Sequence, residues 1–237
     1  MKKLYLLPNL LSTESTISHL PEIVKEILSE TDGLFIESVK GVGQLFKQLS
    51  VQKNIREWNY ILLNEHSKFH EISEQLSQIP KTENWAVLSD AGLPGIADPG
   101  SMVVRYAHSK GIPVVPISGP SSILLSLIAS GLNGQRFCFQ GYLPRNEHER
   151  NKVISSLERE SASRQMTQIF IETPYRNQDL LSALLKTLNP TTQLSIAVDI
   201  TGKNERFITK SISEFKNQKI EISTDFPAVF LFLASDV

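Results

Sequence analysis

The chain has 237 residues, 41% of them hydrophobic and 21% charged, with a formal net charge of −1. That length buries a sizeable core as one large or two small domains. The near-neutral charge excludes a basic field over the whole molecule, of the kind that clamps long nucleic acid permanently, and leaves room for a local basic patch that touches RNA briefly.

Short apolar runs bounded by turn residues alternate with helical stripes along the chain. Residues 4–7 predict a strand. Residues 19–29 carry Leu20, Ile23, Val24, Ile27 and Leu28 at helical spacing. Strands follow at 33–36, 60–63 and 85–88, separated by helices at 42–49 and 69–79. After the strand at 85–88 comes a run dense in glycine and proline, then a helix at 102–110 and a strand at 114–117. This βα alternation predicts a mainly parallel sheet. A turn at Ser118-Gly119-Pro120 opens a helix at 121–130. Beyond it, strands at 137–140, 169–171, 194–198, 205–208 and 228–233, with helices at 146–161, 177–188 and 212–217, predict a mixed sheet. The fold class is α/β, with domains expected at 1–117 and 118–237.

One cysteine, Cys138, excludes a disulfide framework within the chain and reads as a packed small hydrophobe. No apolar stretch is long enough to span a bilayer, and the run 4–7 stops at Pro8, too short for a signal peptide. The expectation is a soluble cytoplasmic protein.

The run Ser89-Asp90-Ala91-Gly92-Leu93-Pro94-Gly95-Ile96-Ala97-Asp98-Pro99-Gly100 follows a strand, where an α/β sheet opens its ligand crevice. The glycines permit positive φ and close approach, the prolines stiffen the loop, and the aspartates either accept from a ligand or brace the loop's own N–H groups. Ser121 and Ser122 head a helix, either as a plain N-cap or as donors to a ligand carboxylate. Gly41-Val42-Gly43 matches half of a dinucleotide fingerprint, but Phe46 stands where its third glycine belongs, and it reads as a turn. His19, His66, His70, His108 and His148 form no metal-ligand pattern, and no metal is expected. Arg145, Arg150 and Lys152, with Arg136 nearby, read either as a solvated helix face or as a grip on RNA phosphates.

Residues 89–100 followed by Pro116-Ile117-Ser118-Gly119-Pro120-Ser121-Ser122 resemble the tetrapyrrole-methylase (class III) superfamily. The likeness continues through Gly131-Leu132, through Arg136-Phe137-Cys138-Phe139-Gln140-Gly141-Tyr142-Leu143-Pro144, and through Ile169-Phe170-Ile171-Glu172-Thr173-Pro174-Tyr175-Arg176. It is most similar to the branch of ribosomal small-subunit RNA cytidine 2′-O-methyltransferases. Motifs in fixed order are far more specific than any one alone.

The resemblance implies a two-domain fold with helices on both sheet faces, a homodimer, and S-adenosylmethionine in a cleft between the domains. By position it implies donor contacts at Leu88, Asp90, Gly92, Ile96, Ser121 and Ser122, and cleft-wall positions at Tyr142, Tyr175, Ala197 and Ala228. Candidates for the acceptor side are Glu37, Lys40, Glu172 and Arg176, the last two paired with each other or with the acceptor. The loops facing the acceptor depart from the branch. Leu7-Pro8-Asn9-Leu10-Leu11-Ser12-Thr13 keeps only Pro8, Asn9 and Leu10 of Ala-Thr-Pro-Ile-Gly-Asn-Leu. Glu37-Ser38-Val39-Lys40 keeps only the glutamate of Glu-Asp-Thr-Arg, with Lys40 in the arginine's place. Methyl transfer to an RNA ribose is the expected function. A small-molecule acceptor such as a tetrapyrrole, or a donor-binding module without catalysis, are the alternatives.

Overall fold

A computed structural model describes residues 1–64, 66–218 and 220–234. The chain divides into two compact units, Met1–Ser121 and Ser122–Val237.

The first unit is built on five parallel strands: β1 (Lys3–Leu7), β2 (Gly33–Ile36), β3 (Asn59–Leu62), β4 (Asn84–Leu88) and β5 (Val114–Pro116). Their order across the sheet is β3-β2-β4-β1-β5. Crossovers run through α1 (Ile23–Ser29), α2 (Val39–Gln48), α3 (Phe69–Gln78) and α4 (Ser101–Ser109). The period-2 alternation of each strand divides its apolar side chains between two cores. Tyr5, Leu7, Leu34, Ile36, Ala86 and Leu88 pack under α1 and α2. Leu4, Phe35, Trp85 and Val87 pack under α3 and α4. The chain thus leaves β1 toward one face and β4 toward the other. These neighbouring strands form the topological switch point at which a parallel sheet opens a crevice.

The second unit pairs β6 (Phe137–Tyr142), β7 (Thr167–Glu172), β8 (Gln193–Val198), β9 (Arg206–Ser211) and β10 (Ala228–Leu233) in the order β6-β7-β10-β8-β9. Only β6 and β7 run parallel; β10 is antiparallel to β7 and β8, and β9 to β8. Phe170, Phe230, Phe232, Leu194 and Ile196 fill one face against α6 (Glu147–Arg164), α7 (Asn177–Thr187) and α8 (Ile212–Gln218). The other face carries α5 (Ser122–Ser130), where Thr209 links the backbone oxygen of Ser130 to the Ser195 hydroxyl.

The expected α/β architecture is present, with shifts at element ends. Pro21 delays the first helix to Ile23, after a separate turn at Ile17–His19, because proline lacks the N–H a helix interior needs. The turn read at Gly41-Val42-Gly43 is instead helical. Ser38 caps the helix by accepting from the Gly41 N–H, so α2 begins at Val39. The helix α6 runs on to Arg164 and ends on Gln165 in the left-handed region. Among the described residues no helix is long and apolar enough to cross a membrane.

Gly33 pairs in register with Trp85, and a Cβ there would enter the indole ring, which also packs on Phe35 at 4.9 Å. Gly33→Ala is therefore expected to cost about 1–3 kcal/mol through overpacking. Urea unfolding monitored by Trp fluorescence checks this; an unchanged midpoint would contradict it.

Candidate functional site

The parallel register places the carboxyl ends of β1, β4 and β2 level with one another, Leu7 beside Leu88 and Leu88 beside Ile36. Everything that leaves these strands meets at one edge. Asn9 is buried there and joins the first loop to the glycine-rich loop. Its backbone N–H donates to the Gly92 oxygen at 2.8 Å, and the Gly92 N–H returns a bond to the Asn9 oxygen at 3.2 Å. Its side-chain amide donates to the backbone oxygens of Ser89 (2.9 Å) and Asp90 (3.2 Å), while its Oδ1 accepts from the Leu10 N–H at 2.8 Å. These bonds satisfy both ends of a buried amide, the condition under which burying one is tolerable.

Beyond Asp90 the loop bends through Gly92 (φ 70°) and Gly95 (φ 89°), angles that glycine adopts without steric cost. Ala97 sits at φ 61° without that freedom, a conformation that costs energy and clusters at functional sites. Asp98 braces the turn from inside. Its carboxylate accepts from the Gly95 N–H at 2.9 and 2.7 Å and from the Gly100 N–H at 2.6 Å. Gly100 leaves room for that carboxylate, which a Cβ would crowd. Burial raises the Asp98 pKa, and the N–H groups of Gly95, Gly100 and Ile96 pull it back.

From β2, Glu37 Oε2 accepts the Asp90 N–H at 2.6 Å and the Ser38 hydroxyl donates to Asp90 Oδ1 at 2.9 Å. Burial raises the Glu37 pKa; the Asp90 N–H lowers it, and the charges of Asp98 and Asp90 raise it further. Beside these loops a hollow of about 70 Å³ runs between the loop after β1 and α2 and reaches Asp90. It has room for a small group, not for a nucleoside.

Leu88 is buried at the end of β4, Asp90 is exposed, Gly92 is buried and Ile96 is 45% exposed, so the first unit gathers these positions with Glu37 at one edge. Lys40 is exposed on the first turn of α2. Ser121 is buried just before α5 and Ser122 opens that helix.

In the second unit, Tyr142, Glu172 and Ala228 lie at one edge of the sheet, where Ala228 pairs with Glu172 and Val198. Tyr175 is 67% exposed on the turn after β7. Ala197 and Ala228 are both buried, and the alternation of β8 and β10 sends their side chains to opposite faces. Of the two readings of Glu172 and Arg176, the structure has them facing each other. Arg176 Nη2 lies 2.9 Å from Glu172 Oε2, an ion-pair contact without the alignment of a hydrogen bond. Glu172 Oε1 accepts from the Thr173 N–H at 2.8 Å.

Arg150 does not join a surface patch. It is buried and donates from its guanidinium to the Arg145 backbone oxygen at 3.4 Å, whereas Arg145, Lys152 and Arg136 are exposed. Among the described residues no group of three or more His, Cys, Asp or Glu side chains is placed to hold a metal ion. Sequence reasoning missed Asn9, Ser38 and Gly41 as parts of the site. Asn9 stood in a motif whose partners are remote in sequence, and Gly41, read as part of a turn, gave no sign of a close approach.

Comparison with known proteins places these observations in a family context. The sequence description of the tetrapyrrole (corrin/porphyrin) methylases matches residues 18–216. Ribosomal RNA small subunit methyltransferase I of Bacillus subtilis is 39% identical over 151 residues, covering 64% of this chain and 49% of that protein. The protein of that name from Escherichia coli O157:H7 is 29% identical over 202 residues, covering 84% of this chain and 65% of the relative. The chain thus spans roughly half to two thirds of the length of these relatives. Among solved structures, a uroporphyrin-III C-methyltransferase from Thermus thermophilus aligns with a TM-score of 0.57 at 18% identity, covering 98% of this chain and 97% of that one. The methyltransferase CobJ aligns with a TM-score of 0.63 at 13% identity, covering 99% and 95%. At such identities the likeness is one of fold.

Asn9→Ala removes the amide that holds Ser89 and Asp90 and strands their carbonyls, with an expected loss of about 2–3 kcal/mol by urea unfolding; a loss below about 0.5 kcal/mol would contradict the lock. The raised pKa of Glu37 has a definite sign. An acid that binds its proton more tightly when folded contributes stability below its unfolded pKa, and that contribution fades as the pH climbs through the folded value. The stability of the wild type relative to Glu37→Gln is therefore expected to fall as the pH rises above the ordinary glutamate value of 4.5. Unfolding curves at about pH 4 to 7 measure it, and a pH-independent difference would contradict the assignment.

Proposed function

We propose that this chain, which belongs to the tetrapyrrole (corrin/porphyrin) methylase family, transfers a methyl group from S-adenosylmethionine to a ribose 2′-hydroxyl of ribosomal RNA. The observation that carries the reading is the braced loop at residues 89–100, fixed at the switch point of a parallel sheet by Asn9, Asp98 and two positive-φ glycines. The acceptor class rests on the relatives named as ribosomal RNA small subunit methyltransferase I.

The first unit suits a nucleoside donor. A Cβ on Gly92 would stand 3.1 Å from Leu11 and 3.5 Å from the Pro120 oxygen, so glycine lets the loop pack closely on the segments after β1 and β5. Asp90 presents a carboxylate at the exposed edge for a ligand hydroxyl or ammonium, and Ile96 offers an exposed apolar surface. Leu88, Asp90, Gly92 and Ile96 are assigned to the donor on this basis. Ser121, Ser122, Tyr142, Tyr175, Ala197 and Ala228 are assigned to it on the resemblance alone.

A sulfonium donor supplies an already activated methyl group: the acceptor hydroxyl oxygen bonds to it by in-line displacement, the sulfur leaves with the bonding pair as a neutral thioether, and the hydroxyl proton passes to bulk solvent. What remains for the protein is alignment and exclusion of water. Arg176, oriented by Glu172, and Lys40 are the cations assigned to the acceptor side. Arg136, Arg145 and Lys152 are assigned to RNA phosphates. The chain is proposed to act in the cytoplasm as a homodimer.

Titration calorimetry with S-adenosylmethionine is expected to show saturable binding by the wild type. Gly92→Val is expected to weaken it more than about tenfold, because valine is strained at φ 70° and meets Leu11. Labelled donor incubated with ribosomal RNA from cells lacking the protein is expected to label one ribose. Label on a tetrapyrrole and not on RNA, or binding without turnover on either, would contradict the acceptor assignment.

A further inference from the structure

We infer that Glu37 and Ser38 are positioning residues that hold Asp90 for the donor, and that Glu37 is not the general base of the reaction. The inference rests on the reading of residues 89–100 as the donor loop. Glu37 is the residue after β2, and β2 pairs with β4 so that Ile36 lies beside Leu88. The two chains therefore leave their strands side by side, with Glu37 next to Asp90.

Three features of the β2 exit converge on Asp90. Glu37 Oε2 takes the Asp90 N–H at 2.6 Å, a charge-assisted bond to backbone. The Ser38 hydroxyl donates to Asp90 Oδ1 at 2.9 Å while accepting the Gly41 N–H at 2.9 Å, so one side chain caps α2 and steers the aspartate. Gly41 lies inside α2, where glycine is a poor helix former, and a Cβ there would collide with the Asp90 carboxylate. The start of α2 is thus shaped around a side chain 49 positions along the chain, counted from residue 41 to residue 90.

A general base must reach the proton it takes. Glu37 instead points a carboxylate oxygen at the backbone of Asp90 and keeps it there. Burial and the nearby charges of Asp98 and Asp90 oppose its ionisation, and the Asp90 N–H favours it. Held at its N–H by Glu37 and at Oδ1 by Ser38, the Asp90 carboxylate is fixed over the start of α2, and an acceptor held in one orientation binds a donor hydroxyl without ordering cost. The acceptor-side loop and the donor loop are in this way one mechanical piece, so changes after β2 read out in donor affinity.

Calorimetry with S-adenosylhomocysteine, amide hydrogen exchange at Asp90 without ligand, and methyl-transfer kinetics on wild type, Glu37→Ala and Glu37→Gln test this. Glu37→Ala is expected to weaken ligand binding about tenfold and to speed exchange of the Asp90 N–H by a similar factor, as one charge-assisted bond is lost. Glu37→Gln is expected to recover most of both losses, because the amide oxygen still accepts, with kcat reduced no more than about threefold. A fall in kcat of about a hundredfold or more in Glu37→Gln with ligand affinity kept would mark a base and overturn the inference. Unchanged exchange at Asp90 in Glu37→Ala would overturn it as well. A wild type that binds no ligand while its Asp90 exchange still depends on Glu37 would overturn the reading of the donor loop and leave the cradle standing.

Discussion

The buried amide of Asn9 is the contact on which the site depends. The strands β1 and β4 run side by side, but their connections leave toward opposite faces of the sheet, and two loops emerging there have no backbone ladder to hold them. Asn9 supplies one. It exchanges main-chain bonds with Gly92 and donates its side-chain amide to Ser89 and Asp90. Its buried position makes those bonds obligatory, since an amide left unpaired away from water costs more than the bonds return. Everything proposed for the loop presumes that this join fixes where the loop starts.

Downstream of that join the loop is held by its own carboxylate. Asp98 gathers the N–H groups of Gly95 and Gly100 and closes the bend into a rigid unit, at the expense of a strained Ala97. Strain persists where surrounding contacts over-determine it, and such pre-organisation is a frequent property of ligand sites. The charges of Asp98 and Asp90 stand close enough to Glu37 to add to the burial that opposes its ionisation. Main-chain donors engage Glu37 and Asp98, and Ser38 engages Asp90, so neutral N–H and O–H groups hold the negative charge gathered at this edge.

How much of this was legible in the sequence follows from the range of each interaction. Alternation and helical stripes are local signals, and they place the strands of both sheets and the glycine-rich loop correctly. The start of α2 was not legible, because Gly41-Val42-Gly43 has the composition of a turn and is helical only through the Ser38 cap and the space Asp90 occupies. Arg150 looked like part of a charged helix face, yet its position on α6 turns it inward, where the Arg145 oxygen receives it. The pairing of Glu172 with Arg176 was one of two open readings, and their placement across a turn after β7 brings the two side chains together. Asn9 was visible only as part of a motif, since its partners lie about eighty residues away.

The position of a bound sulfonium nucleoside decides whether residues 89–100 form the donor loop. A crystal of this chain grown with S-adenosylhomocysteine tests it most directly. The ligand is predicted to lie against the backbone of Gly92 to Ile96 with a polar group on the Asp90 carboxylate. Clear density for the ligand elsewhere on the protein, with that loop bare, would contradict it.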